Sequence, residues 1–455
     1  MTREELEKRH SLYNESISDW NFFIRSYMGG SAYKNGNYLL KHPFESTVNY
    51  DRRKESAYYY NYCSPIVDIF TSHLFKKGAK RNFGTLGEDE LFHYFIYDSD
   101  LRGSSFSQFM RDASRYASVY GSVSFIIDKP GKEVITKAEA IEADIRPYVT
   151  MLTPENILDW SFERGVDGRE RLTMVKIYEG SGRYRVWTDD DWHLWQVVGN
   201  NADSDSDGVL LIDSGEHLLG QVPLVTLYNK STGINFKGIS DLEDIADINR
   251  NIYYLCSDAK EIIENTAFPM LAMPYSKLTG DDEVEAGPKN IIQFDPEHDG
   301  AKPYWLEAPH SSLSEIREWV RQDINEIHRI AKMGGARGTE TSKQARSGIA
   351  LELEYQQLHA ILSEKADNIE QAEREILKLW AMWEGKIFDG FIDYPDDFSV
   401  RDLASDLDRS LKAKDVKVSS VTFDKELQKN IVDAVLPKLT DEVRRKISEE
   451  IESGL

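Results

Sequence analysis

Residues 334–346 read GGARGTETSKQAR, a polar stretch without any apolar residue larger than alanine. The two glycines at its start are typical of a chain that leaves a helix. Upstream, 312–333 has helical periodicity and opens with Ser312 and Glu315 in the spacing of a capping box. Downstream, 347–386 repeats apolar residues every three or four positions, which indicates a helix packed along its whole length. The sequence therefore predicts two helices joined by a polar loop.

A third long helix is predicted over 238–266, which would extend about 43 Å at 1.5 Å per residue. Its charge is strongly negative, because only Arg250 and Lys260 oppose seven carboxylates. Between this helix and the next lies an insert, 267–311, which proline and glycine interrupt and which contains three short strand-like runs. Two short helices at 424–455 are expected to form a hairpin. The seven acidic residues of the long helix are Asp241, Glu243, Asp244, Asp247, Asp258, Glu261 and Glu264.

The first part of the chain, 1–237, changes from helical to strand periodicity. Helices are predicted at 3–28, 50–77 and 105–120, and Gly121 ends the last of them. The predicted strands are 123–128, 147–152, 156–162, 172–179, 183–188, 192–198, 210–212 and 222–229. We therefore expect an α+β fold in which helices accompany a mostly antiparallel sheet.

Composition limits the classes of protein to which the chain can belong. Its 455 residues exceed what one hydrophobic core usually holds, so two or more packed units are expected. The formal net charge of −23, from 55 basic and 78 acidic residues, argues against a protein that grips duplex DNA tightly. A mean hydropathy of −0.51, two cysteines and a start without a signal-like apolar run predict a soluble protein made in the cytoplasm.

Motifs of known catalytic sites are absent from the sequence. It contains no phosphate-binding loop, no dinucleotide fingerprint, no nucleophile elbow and no zinc-binding helix motif. Asp203, Asp205, Asp207 and Gly208 match the opening of a calcium loop, but Ser214 occupies the position that requires a bidentate glutamate. An acidic hairpin tip is the favoured interpretation, and no cofactor is predicted.

A run of tyrosines allows two interpretations. Tyr58, Tyr59, Tyr60 and Tyr62 could stack single-stranded bases. Aromatic residues on one face of a helix are more often core, and we favour a core position for them within the helix 50–77.

The polar loop 334–346 and the residues before it are basic within an acidic chain. The five cations Arg329, Lys332, Arg337, Lys343 and Arg346 face a single acid, Glu340, which gives a local charge of +4. In a monomer this would be a solvated basic loop. In a ring, one copy per subunit would form a belt of positive charge around the centre.

The order of elements resembles that of the portal, or head-to-tail connector, proteins of tailed double-stranded-DNA bacteriophages. Three places carry the resemblance. They are 50–61 (YDRRKESAYYYN) leading to 66–68 (IVD), then 223–225 (PLV) with 228–229 (YN), 238–242 (GISDL) and 257–258 (SD), and finally 347–351 (SGIAL). All three occur in order, with a short αβ insert between two stem-length helices.

The resemblance implies a ring of twelve subunits with an axial channel at one capsid vertex. The wing would comprise 1–237 and the long helix and remainder at 347–423. The other parts would be stem helices 238–266 and 312–333, a clip at 267–311, a tunnel loop at 334–346 and a short helical crown at 424–455.

The resemblance also implies partners, and no enzymatic activity in this chain. Double-stranded DNA would pass through the channel without regard to sequence, and the terminase large subunit, then head-tail adaptor proteins, would dock at the clip. The major capsid protein and a scaffolding protein would contact the wing, so the protein would reside in the virion after synthesis in the host cytoplasm. The candidate docking residues of the clip are Tyr304, Trp305, Asp281, Asp282 and Glu283.

Two other functions remain open from the sequence. One is an acidic metal-dependent nuclease or hydrolase, which would need carboxylates clustered on a sheet edge. The other is a non-viral coiled-coil scaffold that dimerises through the apolar seam of 347–386. For the portal interpretation, the acidic balance has a physical rationale, because an acidic conduit repels phosphates and lets DNA move without adhesion.

Overall fold

Helices and strands follow the two apolar periodicities of the sequence, three to four residues in helices and two in strands. The computed structural model describes residues 1–131, 136–198, 208–267, 270–274, 291–294, 302–306, 311–332, 348–395, 398, 420–435 and 441–453. The chain divides into two units, 1–396 and 397–455. The mixture of helices and antiparallel strands confirms the α+β class.

The helices differ widely in length, and the longest have 36 and 25 residues. They are α1 (Arg3–Glu7), α2 (Ser11–Met28), α3 (Gly30–Lys34), α4 (Thr47–Ser56), α5 (Cys63–Leu74), α6 (Glu90–Tyr97), α7 (Phe106–Tyr120), α8 (Lys137–Glu142), α9 (Glu243–Ala267), α10 (Ser311–Ile330), α11 (Gly348–Trp383), α12 (Val421–Val435) and α13 (Asp441–Ser453). None of these helices is both long and apolar enough to span a bilayer.

The strands form five separate sheets among the described residues. They are β1 (Lys80–Asn82), β2 (Ser122–Asp128), β3 (Tyr148–Leu152), β4 (Ile157–Arg164), β5 (Glu170–Gly180), β6 (Arg183–Thr188), β7 (Asp191–Val197), β8 (Val209–Glu216), β9 (Leu224–Tyr228), β10 (Ser231–Ile234), β11 (Lys237–Gly238), β12 (Met270–Pro274), β13 (Ile291–Phe294), β14 (Tyr304–Leu306) and β15 (Phe391–Asp393). The orders are β1-β15, β10-β11, β13-β12-β14, β3-β2-β9 and β4-β5-β6-β7-β8. The predicted strands of 123–229 are thus present, in two antiparallel sheets instead of one.

The core of the first unit lies between the sheet β3-β2-β9 and the helices α7 and α11. Phe125 of β2 and Trp380 of α11 are fully buried there. Burying a large apolar side chain contributes about 1.5–3 kcal/mol, so these contacts hold the long helix against the sheet. Gly121 ends α7 with φ +90°, and a Cβ on Gly238 would lie 1.9 Å from the Gly121 carbonyl oxygen. This close approach fixes where the chain arrives before α9.

Two predicted helices are interrupted. The helix 3–28 breaks between α1 and α2, where the His10 side chain accepts from Leu12 N. The helix 50–77 was wrong as a single element, because 57–62 is not helical and separates α4 from α5. Pro65 consequently lies in the first turn of α5 and bends no helix.

The tyrosines fall in this interruption, and their side chains divide between core and surface. Tyr59 stacks on Tyr33 with ring centroids 3.7 Å apart. Tyr58 and Tyr60 are 46% and 48% exposed, so the predicted core position holds for Tyr59 and not for these two.

The two helices predicted as stem have shifted starts. α9 begins at Glu243 instead of 238. α10 begins at Ser311, one residue before Ser312, which was predicted to cap it. The insert between them contains the three predicted strands, with β12 parallel to β13 and antiparallel to β14.

The second unit contains the predicted pair of C-terminal helices. α12 contacts α13, and Lys429 of α12 forms an ion pair with Glu452 of α13 at 2.7 Å. Lys425 also donates to the Glu452 carbonyl oxygen at 2.6 Å. These contacts support the predicted hairpin.

Candidate functional site

The helices α9 and α10 form an antiparallel pair that sets the geometry of the site. Asn251 donates from Nδ2 to Oδ2 of Asp323 at 2.8 Å across the pair. Ile245, at the start of α9, lines the same cavity as Ile330, at the end of α10. The chain therefore leaves α10 beside the beginning of α9, and Lys332 is exposed at that end.

The residues at which α9 begins are held by a buried polar group, here called the junction cluster: Ser118, Asn229, Lys230, Asp241 and Lys365. Lys365 Nζ of α11 lies 2.6 Å from Asp241 Oδ2, and the two side chains are 4% and 3% exposed. Asn229 donates from Nδ2 to the other carboxylate oxygen of Asp241 at 3.0 Å. Lys365 also donates to the Oδ1 of Asn229 and to Ser118 Oγ. The cluster ties α7, β9, α11 and the start of α9 together.

Electrostatics of the junction cluster favour a charged Asp241. Burial alone would raise the pKa of Asp241, but Lys365, Asn229 and Lys230 outweigh burial and lower this pKa. Burial lowers the pKa of Lys365, and Asp241 opposes that effect. Because a buried charge is stable only with a partner, each member of the pair keeps the other ionised.

A cavity of about 110 Å³ lies against this cluster. Asp241 and Lys230 supply its polar wall, and Phe70 and Ile361 supply part of its apolar wall. Ala331 also lines it, so the end of α10, the start of α9 and one side of α11 surround the same cavity.

Further along α9, two arginines of α4 form ion pairs with its acids. The guanidinium group of Arg53, whose side chain is 4% exposed, lies 3.5 Å from Asp258 and 2.8 Å from Glu45. Arg52 forms an ion pair with Glu261. These contacts neutralise two of the acids that the sequence suggested as an acidic surface.

The seven predicted acids of this helix thus have different environments. Asp241 was predicted within the helix, near its start; it precedes the helix and its side chain is buried. Asp247 pairs with Arg250 at 2.6 Å on the surface. Glu243 and Asp244 are exposed, and Glu264 is half-buried.

Several predicted site residues cannot be positioned. Arg337, Glu340, Lys343 and Arg346 lie outside the described residues, and so do Asp281, Asp282 and Glu283 and the weak metal candidates Asp203, Asp205 and Asp207. Tyr304 of β14 is 52% exposed. Trp305 pairs with Leu271 in the backbone ladder, and its side chain lies outside the described part. Within the described residues, no group of three or more His, Cys, Asp or Glu side chains could hold a metal ion.

Sequence reasoning missed the two buried ion pairs of α11. Besides Lys365, Glu373 is fully buried and accepts two hydrogen bonds from Arg81, at 2.7 and 2.9 Å. Tyr394 donates to Glu373 at 2.5 Å, and burial raises the pKa of Tyr394 well above its ordinary value. The available signal was a charged residue within the apolar seam, since Lys365 and Glu373 lie next to Ala366 and Ala372 on the buried side.

Comparisons with known proteins include two solved structures, each at 11% sequence identity and a TM-score of 0.45. One, "Virion of native gene transfer agent (GTA) particle", covers 80% of this chain and 88% of its own. The other, "Neck of empty GTA particle computed with C6 symmetry", covers 85% and 94%. No curated protein matches the chain.

The family described as "Phage portal protein, SPP1 Gp6-like" matches residues 13–436. This match runs from α2 to beyond α12 and includes the α9/α10 pair, the sheet β13-β12-β14 and α11. The chain belongs to this family of phage portal proteins.

Proposed function

We propose that twelve copies of this chain form a ring around an axial channel at one capsid vertex, through which double-stranded DNA is packaged and ejected. The family match over 13–436 carries this proposal. The antiparallel α9/α10 pair supports it, because such a pair separates a small sheet at one end from a polar connection at the other. The family is structural, and we assign no catalytic residue to the chain.

In this arrangement the parts of the subunit have separate roles. The wing is 1–237 with 347–423, and the stem is the α9/α10 pair. The clip, 267–311, receives the terminase large subunit during packaging and adaptor proteins afterwards, with Tyr304 as an exposed anchor. The crown is 424–455, and the major capsid and scaffolding proteins contact the wing. The protein is then a virion component, made in the cytoplasm of the host.

The loop 334–346 is the proposed channel constriction. Its cations, Arg337, Lys343 and Arg346, would centre the duplex or retard backsliding by contacting phosphates. The rest of the channel lining would be acidic. Glu243 and Asp244 are candidates for it, because they are exposed and lie near the end of α10. Asp241, Asp258 and Glu261 contribute little to that field because basic partners neutralise them.

The ring itself is tested by the mass of the purified protein. Twelve copies of 52.2 kDa weigh about 626 kDa, which light scattering after size exclusion measures directly. Annular particles with a central hole are expected in negative-stain images. A monomer or a dimer would contradict the proposal, whereas a closed ring of another count would change only the number of subunits.

The constriction is tested by replacing Arg337, Lys343 and Arg346 with glutamine. The amount of nuclease-protected DNA, or its retention in filled particles, should change while the ring mass does not. A matched control makes the same change at three exposed arginines, which alters the net charge equally: Arg164 of β4, Arg169 of the turn after it and Arg183 of β6. Unchanged packaging and unchanged retention in the loop variant would refute this role for the loop.

A further inference from the structure

Among the residues that the structure describes, no strand pairs with the outer edge of β8. β8 pairs with β7 on one side, and it is the last strand in the order β4-β5-β6-β7-β8. A shift in register between Leu194 and Trp195 leaves Ile212 as an extra residue on β8. An open edge presents unpaired backbone N–H and C=O groups, which can pair with a further strand.

Three consecutive apolar side chains lie exposed on this edge. Leu210, Leu211 and Ile212 are 55%, 48% and 54% exposed. Because neighbouring side chains of a strand point to opposite faces, the strand offers apolar surface on both sides of the sheet. Natural proteins usually protect such edges with charge, bulges or a covering segment. The bulge at Ile212 is one such protection, but it leaves the apolar side chains in solvent.

The charge around this edge has one sign. Residues 189–216 contain eight acidic residues and no lysine or arginine. Asp213 and Glu216 of β8 are exposed. Glu216 lies directly opposite Asp191 of β7, and like charges at such cross-strand positions destabilise a sheet. An approaching cation would relieve this repulsion, whereas an approaching anion would increase it.

We propose that β8 is a docking strand for an extended, basic segment of another protein, which adds to the sheet as a sixth strand. The backbone of 209–211 would pair with that segment. On each face of the sheet, the segment would place an apolar group against Leu210 or Leu211, and lysine or arginine against Asp213 or Glu216. A second copy of this chain does not fit, because two β8 edges would bring the exposed Asp213 and Glu216 carboxylates of both copies together. The inference is independent of the ring proposed above.

The probe for this surface is a fluorescein-labelled nine-residue peptide with consecutive valines in one half and consecutive lysines in the other. Fluorescence anisotropy with the full chain should show saturable binding. A peptide with glutamate in place of lysine, and one with proline at the central position, should each bind at least tenfold more weakly. Proline removes a backbone donor and breaks the strand, so this control separates strand addition from simple charge attraction to an acidic protein.

Variants of the chain locate the binding. Leu210→Ser with Leu211→Ser should weaken binding of the lysine–valine peptide at least tenfold without changing the net charge. Val166→Ser is the matched control, since Val166 is fully exposed at the turn between β4 and β5 and should leave affinity unchanged. Hydrogen exchange on the unaltered chain should show that the peptide protects amides within 209–216.

The proposal is overturned by no detectable binding, by equal binding of the proline peptide, or by protection of amides elsewhere. It is also overturned if the serine variant loses self-association that the unaltered chain has without peptide, because the occupant would then be a second copy. Light scattering on the same samples reports the ring mass separately. A failed ring with intact peptide binding would therefore contradict only the proposed function.

Discussion

Two acidic regions of the molecule place their carboxylates in opposite environments, one buried and one exposed. Where α9 begins, Asp241 is 3% exposed and has Lys365 at 2.6 Å. In the β7–β8 hairpin, Asp213 and Glu216 are exposed, and the segment 189–216 contains no lysine or arginine. The first region holds elements of the fold together, and the second is exposed to solvent.

The difference follows from the cost of removing a charge from water. A carboxylate in the interior requires a cation and further hydrogen bonds, so burying an acid also constrains which residues can surround it. A carboxylate in solvent requires nothing and adds only to the surface field. The net charge of −23 therefore combines two populations, and only the exposed one is relevant to DNA or to protein partners.

The largest expected effect comes from removing the cation of the buried region. Lys365→Met leaves Asp241 charged and buried with only Asn229 and the more distant Lys230, 3.7 Å away. Breaking a buried ion pair in this way costs about 3–5 kcal/mol of unfolding free energy. Urea unfolding at a fixed protein concentration measures the loss.

The matched control is Lys378→Met on the same helix. Lys378 pairs with Glu375 at 2.7 Å, and both side chains are almost half exposed. This change should stay within about 0.5 kcal/mol, as is usual for surface ion pairs. The double variant Lys365→Met with Asp241→Asn should recover part of the loss, because no buried charge remains. Equal effects of Lys365→Met and Lys378→Met would remove the distinction between buried and exposed pairs.

An intermediate effect is expected at Glu45, which accepts from Arg53 and from His42 N. These contacts, led by the Arg53 side chain, lower the pKa of Glu45 to about 2. Between pH 2 and the ordinary pKa, the unfolded chain therefore binds more protons at Glu45 than the folded chain does. The stabilisation of the folded state by this carboxylate is complete above about pH 4.5 and is lost as the pH falls towards 2. Glu45→Gln should cost about 2 kcal/mol at pH 7 and almost nothing near pH 2.

Unfolding midpoints of both proteins across pH 2–7 measure this convergence. The control is Glu163→Gln, a change at an exposed position of β4. The difference between its unfolding midpoint and that of the unaltered chain should stay constant over the same pH range. A Glu45→Gln deficit that stays constant with pH would mean that the carboxylate contributes through packing and not through its charge.

The sequence predicts features that depend on local patterns and misses those that depend on distant residues. The meander strands and α7 were predicted within a few residues because their apolar periodicity is local. The helix 50–77 was wrong because Asn249, distant in sequence, bonds the non-helical segment. Its Nδ2 donates to Tyr60 O at 2.8 Å, and its Oδ1 accepts from Tyr62 N at 3.0 Å. A side chain that replaces helical hydrogen bonds leaves no periodic pattern in the segment that it supports.

The site was less predictable than the fold for a related reason. Asp241 was grouped with the acids of the helix 238–266 because its charge is visible in the sequence and its partner is not. Lys365 lies 124 residues further on, and only its place within an apolar seam indicates burial. Pairings between distant residues are set by the tertiary packing of α7, β9 and α11, which local patterns do not contain.

The smallest expected effect comes from neutralising the exposed acids of β8. Asp213→Asn with Glu216→Gln should change the unfolding free energy by less than about 0.5 kcal/mol, because neither carboxylate is buried. The change should be towards higher stability, since Glu216 lies opposite Asp191 and its neutralisation removes a like-charge contact across the strands. The same variant should bind the lysine–valine peptide more weakly, because the carboxylates that attract lysine are gone. A loss of more than about 1 kcal/mol would mean that the hairpin acids support the fold as Asp241 does, and the two regions would then no longer differ in kind.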